Sequence, residues 1–272
     1  MTVLETEPPR ILKVPVWQVT KAAYRDTFGN LGVFLIAAAL PFGLTIGLDF
    51  AIHEETAGLG LGILHLVLST VIGTFFEVAW YRHLLLDGAT ARPALVPHLD
   101  RRLMLFVGYN LLLTFLFVPG LFIEKLLPQA AASAPLAFGS LAFVLHAVAA
   151  YISVRFAFVF PWIALDAPER LGESWHRTTG NGLRILIAQV VVAAPFVLLV
   201  FAFGAVIAII APDLGALFEN GRLEGGMRWF ALIAGNILLF LYYALSCAVL
   251  ARAFCALTGW QPDRRELLER FE

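Results

Sequence analysis

Glu77, Arg155 and Arg252 are the residues best placed to do chemistry, because each falls inside a run apolar enough to cross a bilayer. A charge at mid-bilayer costs about 2.5–3.5 kcal/mol on insertion scales, so such residues are usually paired or functional. Glu77 stands ten residues before Asp87 and Arg155 eleven before Asp166, which gives the two charges similar depth if their helices run the same way. Thr70, Thr74, Glu77 and Tyr81 share one helical face, as do Tyr151, Arg155, Phe158 and Trp162. Matched depth predicts an ion pair between the second and fourth spans, a clasp that fixes helix packing. The functional alternative is an anion or lipid-headgroup site built from Arg155 and Arg252. Arg82 and Arg252 could also simply snorkel to the membrane surface.

Other chemistries have little support. The six histidines include no pair at metal-ligand spacing on one helix, so no metal site and no cofactor is expected. His65 and His146 lie singly in apolar runs and read as helix-packing hydrogen bonds; an outer-leaflet cluster of Asp49, His65 and His146 is the alternative. Gly58, Gly60 and Gly62 follow no strand and make no nucleotide loop, but they suit close helix packing. Cys247 and Cys255 fall in one predicted helix, about 12 Å apart along its axis, too far to bridge within it. No nucleophile–base pair stands out, so no catalytic residue is assigned and an enzyme is the weakest reading. A net charge of −1 with no basic stripe argues against nucleic acid as a partner.

The scaffold such residues need is an all-α, polytopic membrane protein. The chain is 60% hydrophobic and 14% charged, with a mean hydropathy of +0.82, where soluble domains carry about 25% charged residues. Six spans are predicted at about 30–50, 59–86, 103–127, 136–165, 181–211 and 229–257, near or above the ~20 residues that cross a bilayer. They form one domain over residues 11–259. Residues 1–10 are polar, lack a signal peptide's charge order and read as a disordered tail; 260–272 is a second tail. No barrel-type alternation is present.

Three elbows punctuate these spans, at 11–29, 88–102 and 166–180. The first is too polar to span and suits an amphipathic helix in the headgroup layer. Asp100 is a plausible N-cap in the second. Tyr24-Arg25 and Asn30 align with Trp175-His176-Arg177 and Asn181, the latter set preceded by Ser174. Each elbow leads to a span with an internal proline, Pro41, Pro119 or Pro195, which can kink it. The pattern predicts a threefold hairpin repeat; prolines and interfacial aromatics common to polytopic proteins would also produce it. Basic residues crowd the elbows and tails, whereas Lys125, Arg222 and Arg228 fall on the other side. The positive-inside rule then puts both termini and all three elbows in the cytoplasm.

Arg155, Pro161, Asp166, Ser174-Trp175 and Arg184 together resemble the central signature of a group of bacterial six-helix membrane proteins. The group includes the membrane domain attached to some glycerophosphoryl diester phosphodiesterases and the YciC-like proteins. Late in the last span, where that family often has a tyrosine before a basic residue, this chain has Ala251-Arg252. The resemblance implies a multi-pass protein of the bacterial inner membrane, and at most the membrane half of such an enzyme. The expected function is non-enzymatic: binding or organising membrane lipids or partner proteins, a second copy of the chain among them. The alternatives are a small-molecule or lipid transporter, and an accessory membrane domain working with a phosphodiesterase-type enzyme.

Overall fold

The computed structural model describes residues 13–52, 59–86, 100–126, 135–167, 171–210 and 225–261. All regular structure among them is helical: α1 (Val16–Gly29), α2 (Leu31–Ala51), α3 (Leu59–Leu85), α4 (Arg101–Phe115), α5 (Val118–Leu126), α6 (Pro135–Phe156), α7 (Val159–Ala164), α8 (Leu171–Arg177), α9 (Gly182–Ile210) and α10 (Gly225–Thr258). The 1–10 tail, the 260–272 tail beyond Gln261, most of the 88–102 elbow and most of each far-side loop lie outside the described residues. Trp260, expected in the tail, instead donates its indole N–H to the Leu85 carbonyl at 3.3 Å.

Among the described residues five helical stretches are long and apolar enough to cross a membrane: Leu31–Ala51, Gly60–Leu85, Ala137–Ala164, Gly182–Ala202 and Trp229–Thr258. By length and composition the chain is a multi-pass membrane protein. Its outward faces agree, since Phe143, Leu198 and Phe201 stay 75%, 68% and 72% exposed. Apolar surface on that scale is rarely left to water.

The expected third span, 103–127, is two shorter helices. Leu116 and Phe117 N–H groups donate to Leu113 and Thr114 carbonyls three residues back, at 3.1 and 3.0 Å. Pro119 has no N–H to donate to Phe115, so the turn before it tightens and α5 begins as a separate helix. The fourth span breaks in the same way. Ala157 N donates to Val154 O at 3.3 Å one turn before Pro161, which separates α6 from α7. Pro41 and Pro195 instead sit inside unbroken helices; the Thr45 hydroxyl donates to the Pro41 carbonyl at 2.9 Å.

The last span, α10, is the hub of the packing. It touches α1, α2, α3, α7 and α9. Ala244, Ala248 and Ala251 recur along it, and all three are buried. Small side chains at helical spacing let neighbouring backbones approach. The Trp80 indole N–H of α3 donates to the Ala244 carbonyl at 2.9 Å. Around this contact Phe34, Phe76, Trp80 and Phe240 pack edge-to-face and stacked, with Phe76 and Phe240 centroids 5.4 Å apart at 88°. Such pairs contribute about 0.5–1.5 kcal/mol each beyond the area they bury.

The first elbow is a helix as expected, but protein covers one face of it. Val19, Thr20, Ala23, Asp26 and Thr27 are buried, and α1 packs on α9 and α10. Trp17, Lys21, Arg25 and Phe28 face outward. The elbows at 24–30 and 175–181 are not built alike. Gly180 takes φ +75°, in the left-handed region, whereas Gly29 ends α1 without a positive φ.

Candidate functional site

Arg155 ends up at the fourth span's break, held by the elbow. Its Nε donates to Thr178 Oγ1 at 2.9 Å, and one terminal nitrogen donates to the Trp175 carbonyl and to Thr179 Oγ1 at 3.0 Å. The other reaches the Tyr151 hydroxyl at 3.4 Å. The guanidinium carbon lies 4.1 Å from the Trp175 ring centroid, a cation–π contact. Gly182 makes room for this. A Cβ there would come within 2.6 Å of Arg155 Cδ. The buried charge is thus met by carbonyl and hydroxyl dipoles at the C-terminal end of α8, where a cation is favoured.

Ser174 repairs the same break from the other side. Its hydroxyl accepts from Phe158 N at 3.1 Å and donates to the Arg155 carbonyl at 2.9 Å. Thr178 Oγ1 also reaches that carbonyl, at 3.1 Å. The interruption before Pro161 frees backbone groups, and two hydroxyls one helical turn apart on α8 take them up. Asn181 works further along: its side-chain oxygen accepts from Val14 N at 2.8 Å. Ser174, Trp175 and Asn181 therefore bond to backbone and to Arg155. Tyr24, Arg25 and Asn30 lie apart on α1 and its end. The Tyr24 hydroxyl donates to the Val192 carbonyl at 3.4 Å, and Asn30 caps α1 by donating to the Asp26 carbonyl at 2.7 Å. Arg25 stays exposed, 3.8 Å from its neighbour Asp26.

The expected Glu77–Arg155 ion pair does not form. Glu77 Oε2 accepts from Asn110 Nδ2 at 2.6 Å, and all of Arg155's polar contacts go to Tyr151 and the elbow. The faces of α3 and α6 that carry the two charges turn to different neighbours, Asn110 for Glu77 and the elbow for Arg155. The Arg155–Arg252 headgroup site does not form either. Arg252 Nε donates to Asp26 Oδ2 and closes α10 onto α1. Arg82 is likewise engaged: it donates to the Ala164 carbonyl at 2.8 Å and to Asp166 at 3.3 Å, and Arg102 joins it on Asp166 at 2.6 Å. Asp166 takes φ 56° to present its carboxylate to both arginines.

At the opposite end of the bundle Asp49 pairs with His65 Nε2 at 2.9 Å, and the third partner is Asn236 at 2.8 Å. His146 instead bonds the Ala142 carbonyl at 2.8 Å and lies beside Phe117. Among the described residues no three of His, Cys, Asp and Glu converge as a metal site.

Glu77 belongs to a different constellation, a cavity of about 440 Å³ between α3, α4, α6, α9 and α10. Its polar lining includes Glu77, Asn110, Thr114, Ser153, Gln189 and Ser246, with the hydroxyls of Tyr81, Tyr242 and Tyr243; Leu113, Val190 and Leu250 are among the apolar members. Asn110 Nδ2 also donates to Thr74 Oγ1 at 3.1 Å, and Gln189 Nε2 donates to the Ser246 carbonyl at 3.2 Å. Gln189 Oε1 and Ser153 Oγ are buried without a partner. Gln189 itself is only 9% exposed. Sequence reasoning passed over Asn110, Gln189 and Ser246. A signal was present: an amide inside NLLLTF and another inside IAQVVVA, each set in a run with no other strongly polar side chain.

The fold and this cavity define a class: a multi-pass helical membrane protein with a largely apolar chamber among its helices that carries Glu77 and a few neutral polar groups. Compared with protein-family models, curated proteins and solved structures, the chain matches none.

Proposed function

We propose that this protein binds an amphiphilic molecule of membrane-lipid type in the cavity around Glu77, Asn110 and Gln189, and acts by binding rather than by catalysis. One observation carries the reading. A cavity of about 440 Å³ holds a buried amide oxygen and a buried hydroxyl with no partner. A buried polar atom without a hydrogen bond costs about 1–3 kcal/mol, and ligand pockets run from roughly 300 to 1,000 Å³.

Native mass spectrometry of the full chain, purified with its lipids, tests this. The wild type should retain a bound amphiphile, and Ala193→Trp, which fills the cavity, should lose it at unchanged helicity. Bare wild-type protein, or equal retention by both, would overturn the reading.

Transport is the second reading. Thr114 and Phe117, at the α4–α5 break, line the cavity, and discontinuous helices flank the binding sites of many transporters.

We further infer that α4 and α5 together make a sixth, broken span. Arg102 near the start of α4 meets Asp166 just after α7, while in α5 a Cβ at Gly120 would touch the His146 ring of α6. Eighteen positions separate Arg102 from Gly120, about 27 Å of helix against a hydrocarbon core of ~30 Å. Six crossings return both termini to one side, the cytoplasm by the distribution of basic residues. The exposed Trp17, Phe28 and Trp175 then lie at headgroup depth, in a bacterial inner membrane if the likeness at 151–187 holds.

A further inference from the structure

The atoms that the cavity leaves unsatisfied have one character. The Asn110 amide nitrogen is engaged by Glu77 and Thr74, and the Gln189 amide nitrogen by the Ser246 carbonyl. What remains fixed is acceptor: Gln189 Oε1, buried and unpartnered, and the second oxygen of Glu77, which meets no donor among the described residues. The hydroxyls of Tyr81, Thr114, Ser153, Tyr242, Tyr243 and Ser246 can rotate to donate or accept, and none carries a charge.

No arginine, lysine or histidine is found among the described lining residues. Arg155 follows Ser153 and Val154, which line the cavity, yet its guanidinium is turned onto Trp175, Thr178 and Thr179. A phosphate or carboxylate in the cavity would therefore face a carboxyl and an amide oxygen with no cation to offset them. An ammonium would meet the reverse. It brings three N–H donors and the positive charge that an isolated carboxyl at membrane depth lacks. Leu113, Val190 and Leu250 supply the wall for a hydrocarbon body.

We propose that the ligand of this cavity is an ammonium-bearing amphiphile, a protonated primary amine on an apolar body, seated against Glu77 and Gln189. This rests on the binding reading above and narrows it. It also runs against the anionic headgroup that an Arg155–Arg252 site would have taken.

The test uses the full chain in phosphatidylcholine nanodiscs and three photoreactive probes of equal chain length: a diazirine alkylamine, alkyl alcohol and alkyl carboxylate. Labelled positions are mapped by mass spectrometry. The amine should label cavity residues roughly tenfold or more above the alcohol, the scale of one charge-assisted hydrogen bond, and the carboxylate should label least. Glu77→Gln should bring amine labelling down to the level of the alcohol in the wild type. Phosphatidylethanolamine added to the nanodisc separates two sources. If it competes, the natural occupant is an amine-headed lipid; if it does not, a free amine.

Equal labelling by amine and alcohol in the wild type overturns the ammonium assignment and leaves the binding reading intact. No cavity labelling by any probe overturns both. If Glu77→Gln fails to fold, the wild-type ratio decides alone.

Discussion

The Ser174 hydroxyl lies 2.9 Å from the Arg155 carbonyl oxygen and 3.1 Å from Phe158 N, so a side chain from α8 bridges the gap between α6 and α7. Ser174→Ala removes that bridge and leaves buried backbone groups short of partners. A loss of about 1–3 kcal/mol is expected, read as a lower unfolding midpoint in detergent. Thr178→Val should cost a similar amount. The double variant should lose more than the two singles combined, because Thr178 reaches the same carbonyl at 3.1 Å and stands in when Ser174 is gone. Strict additivity would mean that the two hydroxyls do not share a task.

Glu77 and Arg155 have no partner in common. Glu77→Gln and Arg155→Gln should therefore change thermal stability additively, to within about 0.5 kcal/mol. Arg155→Lys should recover little of the arginine's effect, since an ammonium cannot reproduce a fork that reaches Thr178, Thr179 and the Trp175 carbonyl at once. A coupling energy well above that limit in the Glu77–Arg155 cycle would restore the direct ion pair.

Asp26–Arg252 joins α1 to α10, with the aspartate side chain 10% exposed and the arginine 41%. Solvent reaches one partner, so the pair itself should contribute about 1 kcal/mol or less. Asp26→Asn should loosen α1 more than it lowers global stability. Proteolysis at α1, or amide exchange along Val16–Gly29, is the measurement. Unchanged protection of α1 would show that apolar packing alone holds it.

Single cysteines at Ala57, Ala132 and Asn220, in a background lacking Cys247 and Cys255, decide the number of crossings. All three should label with an impermeant reagent added to whole cells. If Ala132 is protected while Ala57 labels, α4 and α5 do not cross and five spans remain.

Much of the architecture was legible in the residues. Five of the six apolar runs are helical stretches long enough to span, because length and composition alone decide what a bilayer accepts. Asp100 does cap α4, accepting from Leu103 N at 2.9 Å. Of the three prolines expected to kink a span, Pro119 sits just beyond a break, whereas Pro41 and Pro195 lie inside unbroken helices. The pairing of charges was not legible. Sequence position fixes how deep Glu77 and Arg155 lie, but which way a helix is rotated depends on every neighbour. Asn110 therefore took Glu77, and Trp175 with Thr178 took Arg155. The hub role of α10 was hidden for a related reason: all the spans are similarly apolar, and only packing distinguishes the central one.

The bond from Arg252 to Asp26 spans 226 positions of sequence. At synthesis rates of about 5–20 residues per second, α1 emerges roughly 11–45 s before the helix that buries it. Through that interval Asp26 lacks its arginine, and α1 has at most α9 to pack against. A nascent chain therefore carries, at its first helix, a visible mark of incompleteness that docking of the last span erases. A surveillance protease that reads such segments would distinguish finished copies from stalled ones without touching the bundle.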